Sequence, residues 1–444
     1  MFQKLSPVIT GTIYLSAAGI LTRCLGFFYK IWLGNLIGPE ELGIYQLVFP
    51  VFSICLAICG GPFQTAVSKF TAQYQEQNPS KSKCCLQAAL ALSVLFAIFC
   101  AAFILLFHKE ISVRFLLNER TDRLLPYIAF SIPLSAIHNC ITGWYYGQKK
   151  AAVPALSNLM EQGSRMLFVF CLLQCNFKFS VLQVVWALCI GEMVSAVFTA
   201  AACLLERKRR KSRQNNTIFS AVVPVKPYIG CVKEIMLLIW PLTANRLIMS
   251  LLQSAESVMI PSRLILSGLT EQTALSMYGA LTGMALSFIL FPTALTGSFS
   301  LMLMPDIAKA CAENRISYIR KASQLSLCST FFIGCLFTAV FFLFGESIGN
   351  LCFPGTLAGT YIRSLSWLCP FLYLNNILIS ILHGMGLTAL TFKTQLSGLT
   401  LRLGMTVFLV PLYGMSCYFI ALLGSQILMC VFNLYYLYQL RVLH

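Results

Sequence analysis

Two stretches decide how this chain folds: residues 132–165, IPLSAIHNCITGWYYGQKKAAVPALSNLMEQGSR, and residues 369–402, CPFLYLNNILISILHGMGLTALTFKTQLSGLTLR. Laid over each other at an offset of 237 residues, they pair Pro133 with Pro370, Asn139 with Asn376 and Gly147 with Gly384. The same offset pairs Ala152 with Ala389 and Arg165 with Arg402. Identities among apolar residues carry little information, whereas Asn and Arg are scarce in segments of this kind. The pairing therefore reads as an internal repeat. A second echo lies upstream of each stretch, where Pro50 and Pro62 have a separation similar to that of Pro292 and Pro305.

The rest of the chain explains why a repeat of this sort is stable. Of 444 residues, 58% are hydrophobic and only 11% are charged, against about 25% charged in a soluble domain. The mean hydropathy is +0.77. Apolar runs of about 20 residues recur, the length that crosses a bilayer as an α-helix. The alternating ten-residue segments of a membrane β-barrel are absent. The chain is thus expected to be an all-α polytopic membrane protein. Twelve spans are read near 8–30, 43–64, 86–107, 124–147, 152–175, 181–205, 234–261, 276–304, 323–345, 363–384, 390–411 and 414–439. The first, after Lys4, is too long for a signal-peptide core and has no A-x-A cleavage site, so it reads as a retained signal anchor.

Positive charge sets the expected orientation. With the N-terminus in the cytoplasm, twenty of the thirty-two basic residues fall on inner loops and eight on outer ones. The remaining four, Arg23, Arg165, Arg246 and Arg402, lie within spans. Both termini are expected to be cytoplasmic. The one long hydrophilic stretch, residues 206–233, opens with ERKRRKSRQNN and follows span six. It reads as a basic cytoplasmic linker against anionic headgroups, between six-span lobes at 1–205 and 234–444. Six plus six spans run in the same direction, so the lobes are pseudo-symmetric about an axis along the membrane normal. That is an architecture of alternating-access transporters. Gly143 and Gly147, like Gly279 and Gly283, read as close helix–helix contacts. Prolines 50, 133, 241, 292 and 370 fall within spans and can kink them.

A guanidinium at bilayer depth costs roughly +2.5 to +3.5 kcal/mol even on a lenient insertion scale, so it needs a partner or a watery cavity. It never loses its proton and presents a fork suited to phosphate and carboxylate. Arg165 has Glu161 four residues earlier, a favourable ion-pair register. Arg402 has Gly398 at the equivalent place, and Arg246, beside Asn245, has no acid on its own helix within reach. The acids at depth are Glu161, Glu192 and Glu256, and Glu256 reads as the first candidate for ion coupling because no base neighbours it in sequence. Four arginines against three glutamates leave the interior positive, which suits an anionic cargo.

Catalysis finds no support. With only Asp122 and Asp306 as aspartates there is no D-x-D motif, and G-x-S-x-G, the P-loop and H-E-x-x-H are all missing. No catalytic residue, metal or cofactor is expected. The histidines are far apart, and the nineteen cysteines, lacking any C-x-x-C pair, read as reduced apolar side chains.

Several stretches carry a family likeness. GTIYLSAAGILTRCLGFFYK (11–30) and LIGPEELGIYQLVFPVFSICLAICGGPFQTAVSK (36–69) resemble the opening of the stage V sporulation protein B family. The likeness continues in GWYYGQKKAAVPALSNLMEQGSRM (143–166), MIPSRLILSGL (259–269), YGALTGMALSFILFPTAL (278–295), LMPDIAKA (303–310) and PFLYLNNILISILHGMG (370–386). That family is a polysaccharide-transporter branch of the MATE-like (MOP) superfamily, with the lipid II flippases of the MurJ type. The resemblance implies a MATE-like fold of two six-helix lobes around a cavity open to each side in turn. It also implies a bacterial cytoplasmic-membrane location, a host that forms spores, and a lipid-diphosphate-sugar substrate. Arg23, in T-R-C-L-G-F, sits where lipid II flippases have a cavity arginine in S-R-x-L-G-F. Their next basic residue falls nearest Tyr29, which Lys30 follows. Those flippases have fourteen spans where twelve are read here.

The sequence thus suggests a monomeric flippase that carries a polyprenyl-diphosphate sugar, a peptidoglycan or polysaccharide precursor, from inner to outer leaflet. Membrane lipids surround it and nucleic acid has no part. Arg23, Arg246, Arg402 and Arg165 would bind the diphosphate. Asn139, Asn245 and Asn376 would bind sugar, and Glu256, Glu192 and Glu161 are the ion-coupling candidates. The alternative is a MATE-type H⁺- or Na⁺-coupled cation or drug antiporter on the same fold.

Overall fold

A computed structural model describes residues 7–74, 78–150, 152–175, 180–213 and 225–440. Within them all the regular structure is helical. The expected calls on Lys4, Lys178, Arg441, His444 and residues 214–224 of the linker lie outside the described residues.

Every expected span is found as a helix, with ends displaced by several residues. Spans one and two form one long helix, Pro7–Cys59, that continues after a break as Gly61–Tyr74. The reversal between them is at Gly38, where φ is 77° and ψ is 172°. A side chain is strained in that region, and Gly38-Pro39 supplies the residue that tolerates it. Span three is Pro79–Glu110 with a π-helical end, Ile111–Phe115, and span four is Leu125–Gly147. Spans five, six and seven are Ala152–Gln174, Val181–Arg213 and Val225–Leu266. Span eight runs from Glu271 to Ala312, loosened by a π-helix at Ala280–Ala285 and interrupted before Thr293. Spans nine to twelve are Ile316–Cys352, then Ala358–Leu365 with Cys369–Gly384, then Thr388–Tyr413 and Met415–Gln439. Nine stretches of the described residues are long and apolar enough to cross a membrane by length and composition. Spans four and five fall short of that mark and carry His138, Asn139, Glu161 and Arg165.

In the stretch 206–233, expected as a basic cytoplasmic linker, the described residues are helical. Span six extends through Arg213 and span seven begins at Val225. The prolines also act differently from one another. Pro133 lies inside its helix, whereas Pro292 and Pro370 mark places where a helix restarts.

The helices form two compact units. One contains the chain up to Thr22 with Leu47–Ser254, and the other contains Arg23–Gln46 with the chain from Ala255 onward. Relative to the expected lobes at 1–205 and 234–444, the units exchange two segments. The end of span one, from Arg23, belongs with the second half, and the first part of span seven, through Ser254, belongs with the first. In the first unit Phe63, Phe70, Cys84, Trp144, Tyr145 and Ile235 form the buried core. In the second unit Ile307, Ile377, Ile381, Leu382 and Leu437 do so. Between helices in lipid, close packing rather than expulsion of water supplies the attraction. Large apolar side chains such as Phe99, Leu106, Trp240 and Leu351 point outward. All nineteen cysteines are free thiols, and those on the outward faces, such as Cys171 and Cys328, are exposed rather than buried.

Both glycine pairs sit where helices touch. A Cβ on Gly143 would meet the carbonyl of Gln64, and one on Gly147 would lie 2.6 Å from the carbonyl oxygen of Ser68. The repeat mate Gly384 makes the corresponding approach in the second unit, 2.8 Å from the carbonyl oxygen of Met304. Gly279 and Gly283 press on Pro39, Gly43 and Leu42. Backbone oxygens do not yield as side chains do, so overpacking costs about 1–3 kcal/mol. Gly147→Ala and Gly384→Ala should each lower the thermal unfolding midpoint in detergent. Gly163→Ala, with nothing within 4 Å of the added carbon, should be neutral or stabilise by up to about 1 kcal/mol. Equal midpoints for all three would contradict these contacts.

Candidate functional site

The four intramembrane arginines fall into two kinds. Arg165 and Arg402, the repeat mates, are answered by carboxylates. Arg165 Nη2 lies 2.6 Å from Glu161 Oε1 on its own helix and 3.0 Å from Glu192 Oε1 on span six. Its approach depends on Gly191, because a Cβ there would lie 2.5 Å from Arg165 Nε. The hydroxyl of Ser135 donates to the other oxygen of Glu192 at 2.6 Å. Spans four, five and six are thereby tied through polar groups in their interior.

Arg402 is held as tightly, by an acid distant in sequence. Its Nη2 donates to Glu256 Oε2 at 2.6 Å, and its Nε lies 2.5 Å from Glu256 Oε1. The two contacts form the planar fork that favours arginine over lysine. Tyr418 donates its hydroxyl to Glu256 Oε1 at 2.7 Å. The side chain of Glu256 is only 5% exposed and that of Arg402 18%. Neither residue has a partner nearby in sequence, and the two meet across 146 residues. The acid on span seven and the base on span eleven neutralise each other, with span twelve supplying the third member.

Arg23 and Arg246 are the other kind. Neither has an acidic side chain in ion-pairing range among the described residues. Arg23 Nη1 donates to the main-chain carbonyl of Thr293 at 2.9 Å, and a Cβ on Gly297 would lie 3.2 Å from the same nitrogen. Arg246 Nη2 donates to Thr65 Oγ1 at 3.3 Å, and its guanidinium fills the space beside Gly61. The two environments match. Each arginine lies on the first span of one half, against the first turn of a helix that restarts after a break. Those helices are Thr293–Ala312 for Arg23 and Gly61–Tyr74 for Arg246. Both arginines are exposed.

The asparagines are less uniform. Asn139 donates to the carbonyl of Ser135 at 2.8 Å and lies beside the break at Gly60. Asn245 is exposed next to Arg246. Asn376 accepts at its main-chain oxygen from Ser380 at 3.0 Å. Its neighbour Asn375, not singled out from sequence, is the buried one. It donates to Gln426 Oε1 at 2.8 Å, with Asn433 3.5 Å away. Gln426 and Asn433 lie seven residues apart on span twelve, two turns of one face, and that spacing of polar residues in an apolar span was a readable signal. Tyr418 and Ser135 offered none, because tyrosine and serine are common in such segments.

Comparison with known proteins now defines the class. A multidrug resistance MATE family transporter of the MOP superfamily, solved in an inward-facing conformation, superposes with a TM-score of 0.71. It is 14% identical, over 97% of this chain and 98% of that one, so the likeness is one of fold. Stage V sporulation protein B of Bacillus subtilis (strain 168) is 22% identical over 434 residues, 96% of this chain and 82% of its own. The lipid II flippase MurJ of the same organism is 21% identical over 174 residues, 37% of this chain and 32% of its own. The protein is a multi-pass membrane protein with the fold of the MATE transporters. The chain belongs to the polysaccharide biosynthesis protein family, whose model matches residues 8–299.

Removing one partner of a buried ion pair costs about 3–5 kcal/mol, because the other charge is left unanswered. Arg402→Ala should therefore lower the unfolding midpoint of purified protein sharply. Arg402→Met combined with Glu256→Met should recover most of the loss. A double variant no more stable than Arg402→Ala would contradict the pairing.

Proposed function

We propose that the chain is a flippase for a lipid-linked sugar of the polyprenyl-diphosphate class, a peptidoglycan or polysaccharide precursor carried from inner to outer leaflet. The observation that carries this reading is the pair Arg23 and Arg246. Both are read as fixed cations at membrane depth, and among the described residues both donate to neutral oxygens and have no acid in ion-pairing range. Such groups are short of negative charge, and the phosphates of a lipid diphosphate would supply it through charge-assisted hydrogen bonds. The family and the likeness to a lipid II flippase support a cargo of this chemistry. Arg165 and Arg402, first considered for the same task, are assigned to holding helices together. Asn245 and Asn139, placed beside Arg246 and the span-two break, are suited to sugar hydroxyls, and Asn376 is kept as the repeat mate of Asn139.

Both termini are assigned to the cytoplasm on the distribution of basic loops. With that orientation an inside-negative potential favours outward movement of an anion by about 2.3 kcal/mol per charge per 100 mV. A diphosphate headgroup therefore has a driving force without ATP. Cation or drug antiport would need acids in the exposed positions where Arg23 and Arg246 stand.

The two kinds of arginine should separate in a strain lacking its own flippase. Arg23→Ala and Arg246→Ala should each abolish complementation at normal protein levels. Arg402→Ala should fail because less protein accumulates. Full complementation by Arg23→Ala and Arg246→Ala would overturn the assignment.

A further inference from the structure

The two repeat-mate arginines are answered by different numbers of acids, and the difference is built into the repeat. In the first unit Glu161 and Glu192 both reach one nitrogen of Arg165, at 2.6 and 3.0 Å. At the offset of 237 their positions are taken by Gly398 and Met429 in the second unit. These two also face each other, since a Cβ on Gly398 would lie 2.6 Å from Met429 Cγ. There Arg402 is matched by Glu256 alone. One cluster is thus a one-to-one pair. The other has two carboxylates for one guanidinium.

We infer that the Glu161–Arg165–Glu192 cluster is a proton-binding site, holding one exchangeable proton between its two carboxylates. With both ionised the cluster would carry a net negative charge in the interior of a helical membrane unit. The side chains are only 16%, 12% and 9% exposed for Glu161, Arg165 and Glu192. Two carboxylates sharing a site in low dielectric do not both stay ionised, and a single proton makes this one neutral. The other groups facing it are a hydroxyl, an imidazole and a thiol, of which the imidazole alone can carry a positive charge. From span four come the hydroxyl of Ser135, donating to Glu192, and His138, which is buried and in contact with Ser157. From span six comes Cys189, whose thiol donates to the carbonyl of Tyr127. A metal cation is disfavoured because Arg165 already occupies the space between the carboxylates. The proton adds to a carboxylate oxygen and leaves from it, with no other bond made or broken.

The inference deepens the transport reading by naming a coupling ion, and it needs no substrate for its test. Infrared spectra of purified protein, recorded across a pH series, report the protonated carboxyl C=O band directly. The wild type should show a buried protonated-carboxyl band that is lost as pH rises. Glu161→Gln and Glu192→Gln should each remove it, because the remaining glutamate then pairs one to one with Arg165. Glu256→Gln should leave it unchanged. A band that survives in both folded single variants, or is absent from the wild type, overturns the proposal. Failure of substrate flipping alone would not touch it. Normal flipping whose rate ignores pH, in a protein that does show the band, would separate proton binding from coupling and overturn the coupling role.

Discussion

A guanidinium that keeps its proton at every accessible pH is the constraint around which this molecule is organised. Water can answer such a charge on a soluble protein. Inside a helical membrane unit the answer must come from another side chain, a carbonyl or a ligand. At Arg402 the charge is answered by Glu256, which lies against two guanidinium nitrogens, and Tyr418 donates to the carboxylate in turn. Spans seven, eleven and twelve are fixed by that one contact. At Arg165 the answer is more than complete. At Arg23 and Arg246, among the described residues, a carbonyl and a hydroxyl respond and no acid does.

The unanswered pair follows from the way the chain is divided. The first part of span seven packs with the first half, and the end of span one, from Arg23, packs with the second. Arg246 therefore rests on the restart of span two at Gly61, and Arg23 on the restart of span eight at Thr293. A helix that breaks and begins again presents main-chain groups and small residues to its neighbours. Gly61 and Gly297 give the two guanidinium groups room that a side chain would fill. The same local arrangement has been kept in both halves while the acids around the other two arginines have diverged.

The spans were legible because an apolar run of membrane length admits few other folds, and the repeat was legible because Asn and Arg are rare there. The Glu161–Arg165 pair was legible too, since four residues on a helix fix the geometry. The pairing of Glu256 with Arg402 was not legible, for the opposite reason. They lie 146 residues apart, and nothing in the local sequence of either reports the other. The exchange of spans one and seven was equally hidden, because hydropathy marks a span without saying which neighbours it packs on. The linker shows a related limit. Charge density marks residues 206–233 as solvated, but long charged side chains are good helix formers, and the helices run on past the apolar boundary.

The central claim is that Arg23 and Arg246 are left without acids in order to hold phosphate. Native mass spectrometry of the purified protein tests it most directly. The account predicts a bound polyprenyl-diphosphate lipid on the wild type, lost from folded Arg23→Ala and Arg246→Ala proteins. The same lipid adduct at the same occupancy on both variants would contradict it.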